Sequence, residues 1–264
     1  MGKHAVVVVG PAGSGKSTLC RVLGEHYRNI SRSVHIANFD PAAEDPLAYD
    51  PSFDLRDLIS LEDAMEGKGL GPNGGLVFCM EYLMENTTWL REVLEDYTDD
   101  FLIIDMPGQI ELMAHIPVVP AFIECLQSEG YFVASIFLLD AMAVTGDTGK
   151  FIAGCMMTLT AMINMECPCI PLLSKCDLLP PESRGEVLDR YCRVELDYMK
   201  TGDLPPSWAG LSRALSSIIS DFSLVSFTPL DISDVDNLAG LAQHIDDLLQ
   251  VADDADVCDR DIDE

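Results

Sequence analysis

Short apolar runs alternate along this chain with longer stretches in which apolar residues recur at helical spacing. The apolar runs predict strands over 5–9, 33–38, 100–105, 131–139, 169–173 and 224–227. The helical spacing predicts helices over 16–27, 55–65, 76–94, 118–127, 148–165, 181–198, 207–219 and 235–251. Apolar strands separated by helices are typical of a parallel sheet covered on both faces. The pattern therefore predicts an α/β fold with about six strands, mostly in a parallel sheet flanked by helices on both faces.

The segment between the second and third predicted strands is the longest departure from this alternation. Its first part carries Pro41, Pro46 and Pro51, which exclude a long helix and predict an acidic loop. Farther on, 67–75 holds five glycines and a proline and predicts a loop between two helices. We therefore predict one domain over 1–251 with a helical insertion at about 55–97.

The acidic composition bounds the partners of the chain. The formal net charge is −28, a field that repels nucleic acid and anionic membranes, so neither is an expected direct partner. The segment 252–264 carries seven of the acids and one arginine, and we interpret it as a disordered solvating tail, with an interaction tail as the alternative.

Cysteine usage and the start of the chain indicate the compartment. The nine cysteines follow no disulfide framework, the first strand leaves no room for a signal peptide, and no apolar run could span a bilayer. We expect a soluble cytoplasmic protein whose entry into the nucleus, if any, depends on partners.

A glycine-rich turn after the first predicted strand carries the clearest chemistry. Residues 10–17 match G-x-x-x-x-G-K-[ST], the P-loop that cradles phosphates. Glycines let successive N–H groups point inward, the lysine supplies positive charge, and the serine hydroxyl can ligate Mg²⁺. The alternative is an ordinary turn between a strand and a helix. The predicted nucleotide-binding residues of this turn are Gly13, Ser14, Gly15, Lys16, Ser17 and Thr18.

A carboxylate at the end of the third predicted strand complements the P-loop. Asp105 ends an apolar run, and we predict that it holds Mg²⁺ together with Ser17. Gly108 leaves its N–H open to a γ-phosphate, and Gln109 stands where an amide could orient an attacking water. The alternative is a strand-terminal turn in which Asp105 caps a helix.

A second polar stretch indicates which base is bound. Ser174, Lys175, Cys176 and Asp177 follow a predicted strand and resemble the N-K-x-D guanine reader. An aspartate accepts hydrogen bonds from the N1–H and amine of guanine, whereas adenine offers it an acceptor at N1. The lysine stem can pack over the base. The stretch favours GTP over ATP.

Further motifs make the chain resemble the GPN-loop GTPases, a dimerising branch of the P-loop GTPases. The residues that carry this resemblance, besides the P-loop, are 40–44 (Asp-Pro-Ala-Ala-Glu), 71–75 (Gly-Pro-Asn-Gly-Gly), 105–111 (Asp-Met-Pro-Gly-Gln-Ile-Glu) and 231–234 (Asp-Ile-Ser-Asp). The insertion would then carry the GPN loop. Ser174 and Met106 depart from the residues more usual in that family.

The resemblance implies a mechanism and partners. Asn73 of one subunit would stabilise the transferring phosphoryl group in the other subunit, and Asp40, Gln109 and Glu111 would position water. It also implies a switch that binds GTP or GDP with Mg²⁺, as a heterodimer with the first GPN-loop GTPase paralogue or as a homodimer. The implied role is RNA polymerase II assembly and nuclear import, with polymerase subunits as partners.

Two other functions remain open from the residues alone. A P-loop kinase acting on a small molecule or nucleotide needs arginines in a lid over the phosphates, and the insertion offers only Arg56, Lys68 and Arg91. A binding scaffold in which the nucleotide is structural would not depend on Asn73 or Gln109.

Overall fold

A seven-stranded parallel sheet organises the described part of the chain. The structure is a computed structural model and describes residues 2–44, 46–97, 101–195, 209–222 and 225–251. The sheet order is β3-β2-β4-β1-β5-β6-β7, and every pair is parallel. Its strands are β1 (Lys3–Val9), β2 (Val34–Asn38), β3 (Phe53–Asp54), β4 (Phe101–Asp105), β5 (Tyr131–Asp140), β6 (Cys169–Ser174) and β7 (Thr228–Pro229). The α/β prediction is confirmed, with the two-residue β3 as an unpredicted strand.

Helices cover both faces of this sheet, as predicted. They are α1 (Lys16–Asn29), α2 (Leu61–Lys68), α3 (Pro72–Glu85), α4 (Thr87–Leu94), α5 (Ile110–Ala114), α6 (Val118–Ser128), α7 (Ala141–Val144), α8 (Thr148–Met165), α9 (Glu186–Cys192), α10 (Ala209–Phe222) and α11 (Val235–Leu248). Side chains alternate across the pleat of β1. Val7 and Val9 enter the core under α3, α4 and α6, whereas Val6 and Val8 enter the core under α1 and α11.

The insertion differs from its prediction at the glycine-rich segment. Helix α3 begins at Pro72, so the predicted loop over 67–75 is wrong for 72–75. Proline suits the first helical position because its missing N–H has no partner there. Gly75 is needed inside the helix because a Cβ there would lie 2.8 Å from Cγ of Met65 on α2. The single helix predicted over 76–94 is divided into two, since α3 ends at Glu85 and α4 begins at Thr87.

Other element boundaries are also corrected. The helix predicted over 55–65 is a 3₁₀ turn at 55–57 followed by α2, which Ser60 caps by accepting from Asp63 N. The helix predicted over 181–198 is a 3₁₀ turn at 181–183 followed by α9; 196–198 lie outside the described residues. The last strand lies at β7 rather than over 224–227, and residue 224 is not among the described residues.

The C-terminal tail and the domain limit of the prediction are not tested by the structure. The tail predicted at 252–264 lies outside the described residues, and the domain limit at 251 stays a prediction. Across the residues that the structure describes, no helix combines the length and the apolar character needed to cross a membrane.

Candidate functional site

The turn between β1 and α1 has the backbone of a phosphate cradle. Gly13 and Gly15 have φ values of 75° and 96°, which residues with a side chain rarely adopt. Gly10 is also required, because a Cβ there would lie 2.6 Å from the carbonyl oxygen of Leu138. Gly15 caps α1 without a side-chain hydrogen bond, so the first N–H groups of this helix face the turn without a side-chain cap. Such a helix start attracts anions.

Lys16 lies deep in this cradle, next to the turn that follows β4. Its side chain is mostly buried, and Nζ donates to the carbonyl of Pro11 at 3.3 Å. Burial lowers the pKa of Lys16, against the opposing effect of Asp105 and Asp40. A Cβ on Gly108 would lie 2.9 Å from Lys16 Nζ and 2.7 Å from Cα of Ala12. Gly108 therefore leaves no room for a side chain beside the cradle and lines the same cavity, and its contact with a γ-phosphate stays a prediction.

Asp105 ends β4 beside the cradle and keeps one carboxylate oxygen free. It is 1% exposed, its Oδ2 accepts from the Tyr49 hydroxyl at 2.9 Å, and its Oδ1 has no hydrogen-bond partner among the described residues. Burial raises the pKa of Asp105, whereas the Ser17 and Tyr49 hydroxyls and Lys16 lower it. An orphaned buried carboxylate oxygen near a serine hydroxyl fits the oxygen ligands that Mg²⁺ prefers. The residues present thus fit a Mg²⁺ site.

Asp40 follows β2 and is fixed by a chain of hydrogen bonds. Its N–H donates to Asn38 Oδ1 at 3.1 Å, and Asn38 Nδ2 donates to Asp54 Oδ1 at 3.0 Å. Arg56 in turn binds Asp54 through Nη2 at 2.7 Å. Burial raises the pKa of Asp40, and the Ala42 N–H, Lys16 and Arg56 oppose this rise. Its carboxylate thus faces the cradle from a firmly held backbone.

These parts enclose a cavity of about 640 Å³, a volume in the range of small-molecule sites. The P-loop, Gly108 and Lys175 line it, together with Asp40 and the residues 42–44 and 46–48 that follow β2. The cavity thus brings together the predicted phosphate-binding residues of the P-loop other than Ser14 and the predicted catalytic residue Asp40.

The stretch predicted to recognise guanine begins against the P-loop. Lys175 has a φ of 61°, and its Nζ donates to the carbonyl of Gly13 at 2.6 Å and to Asp140 Oδ2 at 2.7 Å. The Ser174 hydroxyl donates to the carbonyl of Ser14 at 2.7 Å. The serine and the lysine therefore brace the cradle from the end of β6.

Cys176 and Asp177 continue this stretch in a 3₁₀ turn. Cys176 is buried, and its N–H donates to the carbonyl of Leu230 at 3.1 Å. This bond holds the turn beside the 231–234 stretch, where Asp231 Oδ1 accepts from Ser233 N at 2.8 Å. Asp177 is half-buried. Its role in reading guanine stays a prediction.

Three of the four predicted catalytic residues share a second cavity. Asn73, Gln109 and Glu111 line a cleft of about 380 Å³, which has no lining residue in common with the nucleotide cavity. Asn73 is exposed at the second position of α3. Gln109 Oε1 is buried with no hydrogen-bond partner in the described part of the chain. The roles of these residues stay predictions.

Sequence reasoning missed several residues of the site. Tyr49, Asn38, Asp54 and Asp140 received no role. Asn38 and Asp140 are polar residues at the carboxyl ends of strands that the pattern predicts, where ligands of open α/β sheets bind, and that position was the available signal. Asp54 ends β3, which the pattern does not predict. Tyr49 carries no comparable signal because it lies in an irregular segment.

Sequence comparisons with known proteins find relatives that cover almost the whole chain. Residues 8–251 match a family model described as a conserved hypothetical ATP binding protein. A GPN-loop GTPase 3 from Dictyostelium discoideum is 44% identical over 260 residues, covering 96% of this chain and 90% of the relative. The GPN-loop GTPase 3 of Schizosaccharomyces pombe is 40% identical, covering 99% and 96%.

A solved structure shares the fold. A GTPase from Pyrococcus abyssi, crystallised in its apo form, matches with a TM-score of 0.70 at 24% identity, covering 93% of this chain and 97% of that one. The two GPN-loop GTPase 3 relatives match almost the whole chain, and the sequence motifs described above resemble the same family. The chain therefore belongs to the GPN-loop GTPase family.

Proposed function

We propose that this chain binds GTP together with Mg²⁺ and hydrolyses it to GDP and phosphate. The observation that carries this proposal is the close packing at Gly108, where a Cβ would lie 2.9 Å from Lys16 Nζ, together with the orphaned oxygen of Asp105. A P-loop lysine, a backbone N–H for the terminal phosphate and a carboxylate for the metal are the parts that phosphoryl transfer requires. GTP as the nucleotide is supported by the relatives, which are GPN-loop GTPases.

The residues of the chain would divide this work. The P-loop N–H groups and Lys16 hold the phosphates, and Ser17 and Asp105 would hold Mg²⁺, which neutralises charge that develops on the phosphate oxygens. Gly108 offers its N–H to the terminal phosphate. Lys175 and Asp177 would contact guanine. Asp40 lines the nucleotide cavity and would orient the attacking water, and Gln109 and Glu111, which line the second cavity, would do so only after reaching the nucleotide from the turn that follows Gly108.

We further propose that hydrolysis is completed across a dimer. Asn73 lies outside the nucleotide cavity of its own chain, and this supports a role in the site of a partner. The family resemblance adds the first GPN-loop GTPase paralogue as the partner, and RNA polymerase II assembly and nuclear import as the cellular role. A second copy of this chain is the alternative partner, and the protein would reside in the cytoplasm unless partners carry it into the nucleus.

The test is hydrolysis of GTP and of ATP by this protein alone and mixed with the first paralogue. We expect GTP to be preferred, the mixture to be faster, and Asn73→Ala to slow the mixture by about 100-fold with unchanged GTP affinity. Lys16→Ala is the control that removes nucleotide binding. Transfer of phosphate to an added metabolite would indicate a kinase instead. Unchanged turnover in Asn73→Ala and Gln109→Ala would leave a nucleotide-bound scaffold.

A further inference from the structure

Tyr49 connects two parts of the site that the chain places far apart. It follows the segment whose residues Glu44, Pro46, Leu47 and Ala48 line the nucleotide cavity. Its own side chain points away from that cavity into the core that packs against α1, and it is 9% exposed. At 2.9 Å, its hydroxyl donates to Oδ2 of Asp105, 56 positions further along the chain.

This hydrogen bond orients the carboxylate. A carboxylate has two equivalent oxygens, and the Tyr49 hydroxyl occupies Oδ2, so the orphaned Oδ1 is the oxygen left for a ligand. A tyrosine hydroxyl, whose ordinary pKa is near 10, is protonated at neutral pH and can donate this hydrogen bond.

Both ends of the segment that precedes Tyr49 are attached to the sheet. At its start, Asn38 accepts from the N–H of Asp40 at 3.1 Å, and Phe39 N donates to the carbonyl of Asp105 at 2.9 Å. At its end, the Tyr49 hydroxyl donates to the carboxylate of Asp105 at 2.9 Å. Between these attachments, residues 42–44 and 46–48 line the cavity wall. The start of the segment is thus tied to the backbone of Asp105, whereas its end is tied to the Asp105 carboxylate through the Tyr49 hydroxyl.

We propose that Tyr49 is a positioning residue that couples the cavity wall formed by residues 42–44 and 46–48 to the carboxylate of Asp105, so that Mg²⁺ at Asp105 holds this wall against the bound nucleotide. The inference rests on the proposed function, because it assumes that Asp105 helps to bind Mg²⁺ beside a guanine nucleotide. Tyr49 touches neither the nucleotide cavity nor the metal position, and acts through Asp105 and through its neighbours in the chain.

The decisive variant is Tyr49→Phe, with Tyr27→Phe as a matched control. Tyr27 is a second buried tyrosine in the same core, and its hydroxyl donates to Asp246 Oδ1 at 3.1 Å, away from the site. Both variants delete one buried hydroxyl from the core around α1, and both thermal unfolding midpoints are measured without nucleotide. A loss of stability should appear in both variants, whereas a loss of the coupling between Asp105 and the cavity wall should appear in Tyr49→Phe only.

The first readout is the release of a fluorescent GDP derivative, measured with Mg²⁺ and with EDTA. We expect Mg²⁺ to slow release from the unmodified protein, and we expect Tyr49→Phe to reduce the ratio of the two release rates by about fivefold, the effect of one hydrogen bond. Tyr27→Phe keeps the ratio. The second readout is amide hydrogen exchange over 41–48, in which protection that depends on Mg²⁺ is lost in Tyr49→Phe only.

The outcomes separate this inference from the function on which it rests. An unchanged Mg²⁺ ratio in Tyr49→Phe, or an equal loss in Tyr27→Phe, overturns the coupling while GTP binding stands. Release that is insensitive to Mg²⁺ in the unmodified protein overturns the metal role of Asp105 and the coupling together. Absence of GDP binding in the unmodified protein overturns the proposed function itself.

Discussion

The ion pair between Asp54 and Arg56 gives the site a pH-dependent support. Burial acts to raise the pKa of Asp54, but hydrogen bonds from the side chain and N–H of Arg56 and from Asn38 outweigh it, and the pKa is lowered. A carboxyl whose pKa is lowered in the folded state stabilises the protein above its unfolded pKa, near 3.9, and loses this contribution as pH falls through the lower folded value.

We therefore predict that Asp54→Asn destabilises the protein at pH 7 by about 1 kcal/mol and that the difference shrinks below pH of about 4. Urea unfolding of both proteins between pH 2.5 and 7 measures this. Glu124→Gln, which changes an exposed carboxyl on α6, is the control for a general effect of charge. A difference that stays constant across the range would contradict the role of the ion pair.

At the scale of single residues, the sequence predicts the parts of the site that form local motifs. Gly13, Lys16 and Gly108 line one cavity, and the turn geometry that needs the two P-loop residues is encoded within a few positions. The hydrogen bonds from Asn38 to Asp54 and from Tyr49 to Asp105 join partners 16 and 56 positions apart, which only the sheet register and the core bring together. No local pattern records such pairs.

At the scale of elements, the start of α3 shows why composition misleads. Five glycines over 67–75 favour a loop, yet Gly71, Pro72 and the packing of Gly75 on α2 are compatible with a helix start. Tertiary contact therefore outweighs the low helix propensity of glycine. The break between α3 and α4 has a local cause as well, since Asn86 Nδ2 donates to the carbonyl of Tyr82 at 2.8 Å.

Two adjacent glycines of α3 provide a test of this packing. A Cβ on Gly75 would lie 2.8 Å from Met65 Cγ and 3.0 Å from Leu61 Cδ1, whereas a Cβ on Gly74 would meet Leu70 Cδ2 at an ordinary 3.5 Å. We predict that Gly75→Ala destabilises the protein by about 1–3 kcal/mol through overpacking. Gly74→Ala should stabilise it by about 0.5–1 kcal/mol, because alanine favours helix.

Urea unfolding of both variants against the unmodified protein decides this point. Since the two substitutions are chemically identical and one position apart, any difference in sign reports the contact between α2 and α3. Equal changes in the unfolding free energy would show that α3 does not pack against α2 through Gly75.

At the scale of the whole molecule, the charge opposes the assembly of two copies. Each chain carries a formal net charge of −28, so the two subunits of a homodimer repel each other over distances that exceed their contacts. Salt screens this repulsion, since the Debye length falls from about 14 Å at 50 mM to about 4 Å at 500 mM. Apolar and hydrogen-bonded contacts at an interface are screened much less.

We predict that the dissociation constant of the homodimer falls by about tenfold between 50 and 500 mM NaCl. Sedimentation equilibrium of the full chain measures it, and a chain ending at residue 251 is the control, because removing seven acids and one arginine should weaken the dependence on salt. A heterodimer that binds through a basic surface should show the opposite dependence, since salt then screens an attraction. A homodimer that weakens as salt rises would mean that complementary charges at its interface outweigh the net repulsion. The electrostatic reason for preferring a different partner chain over a second copy would then be lost.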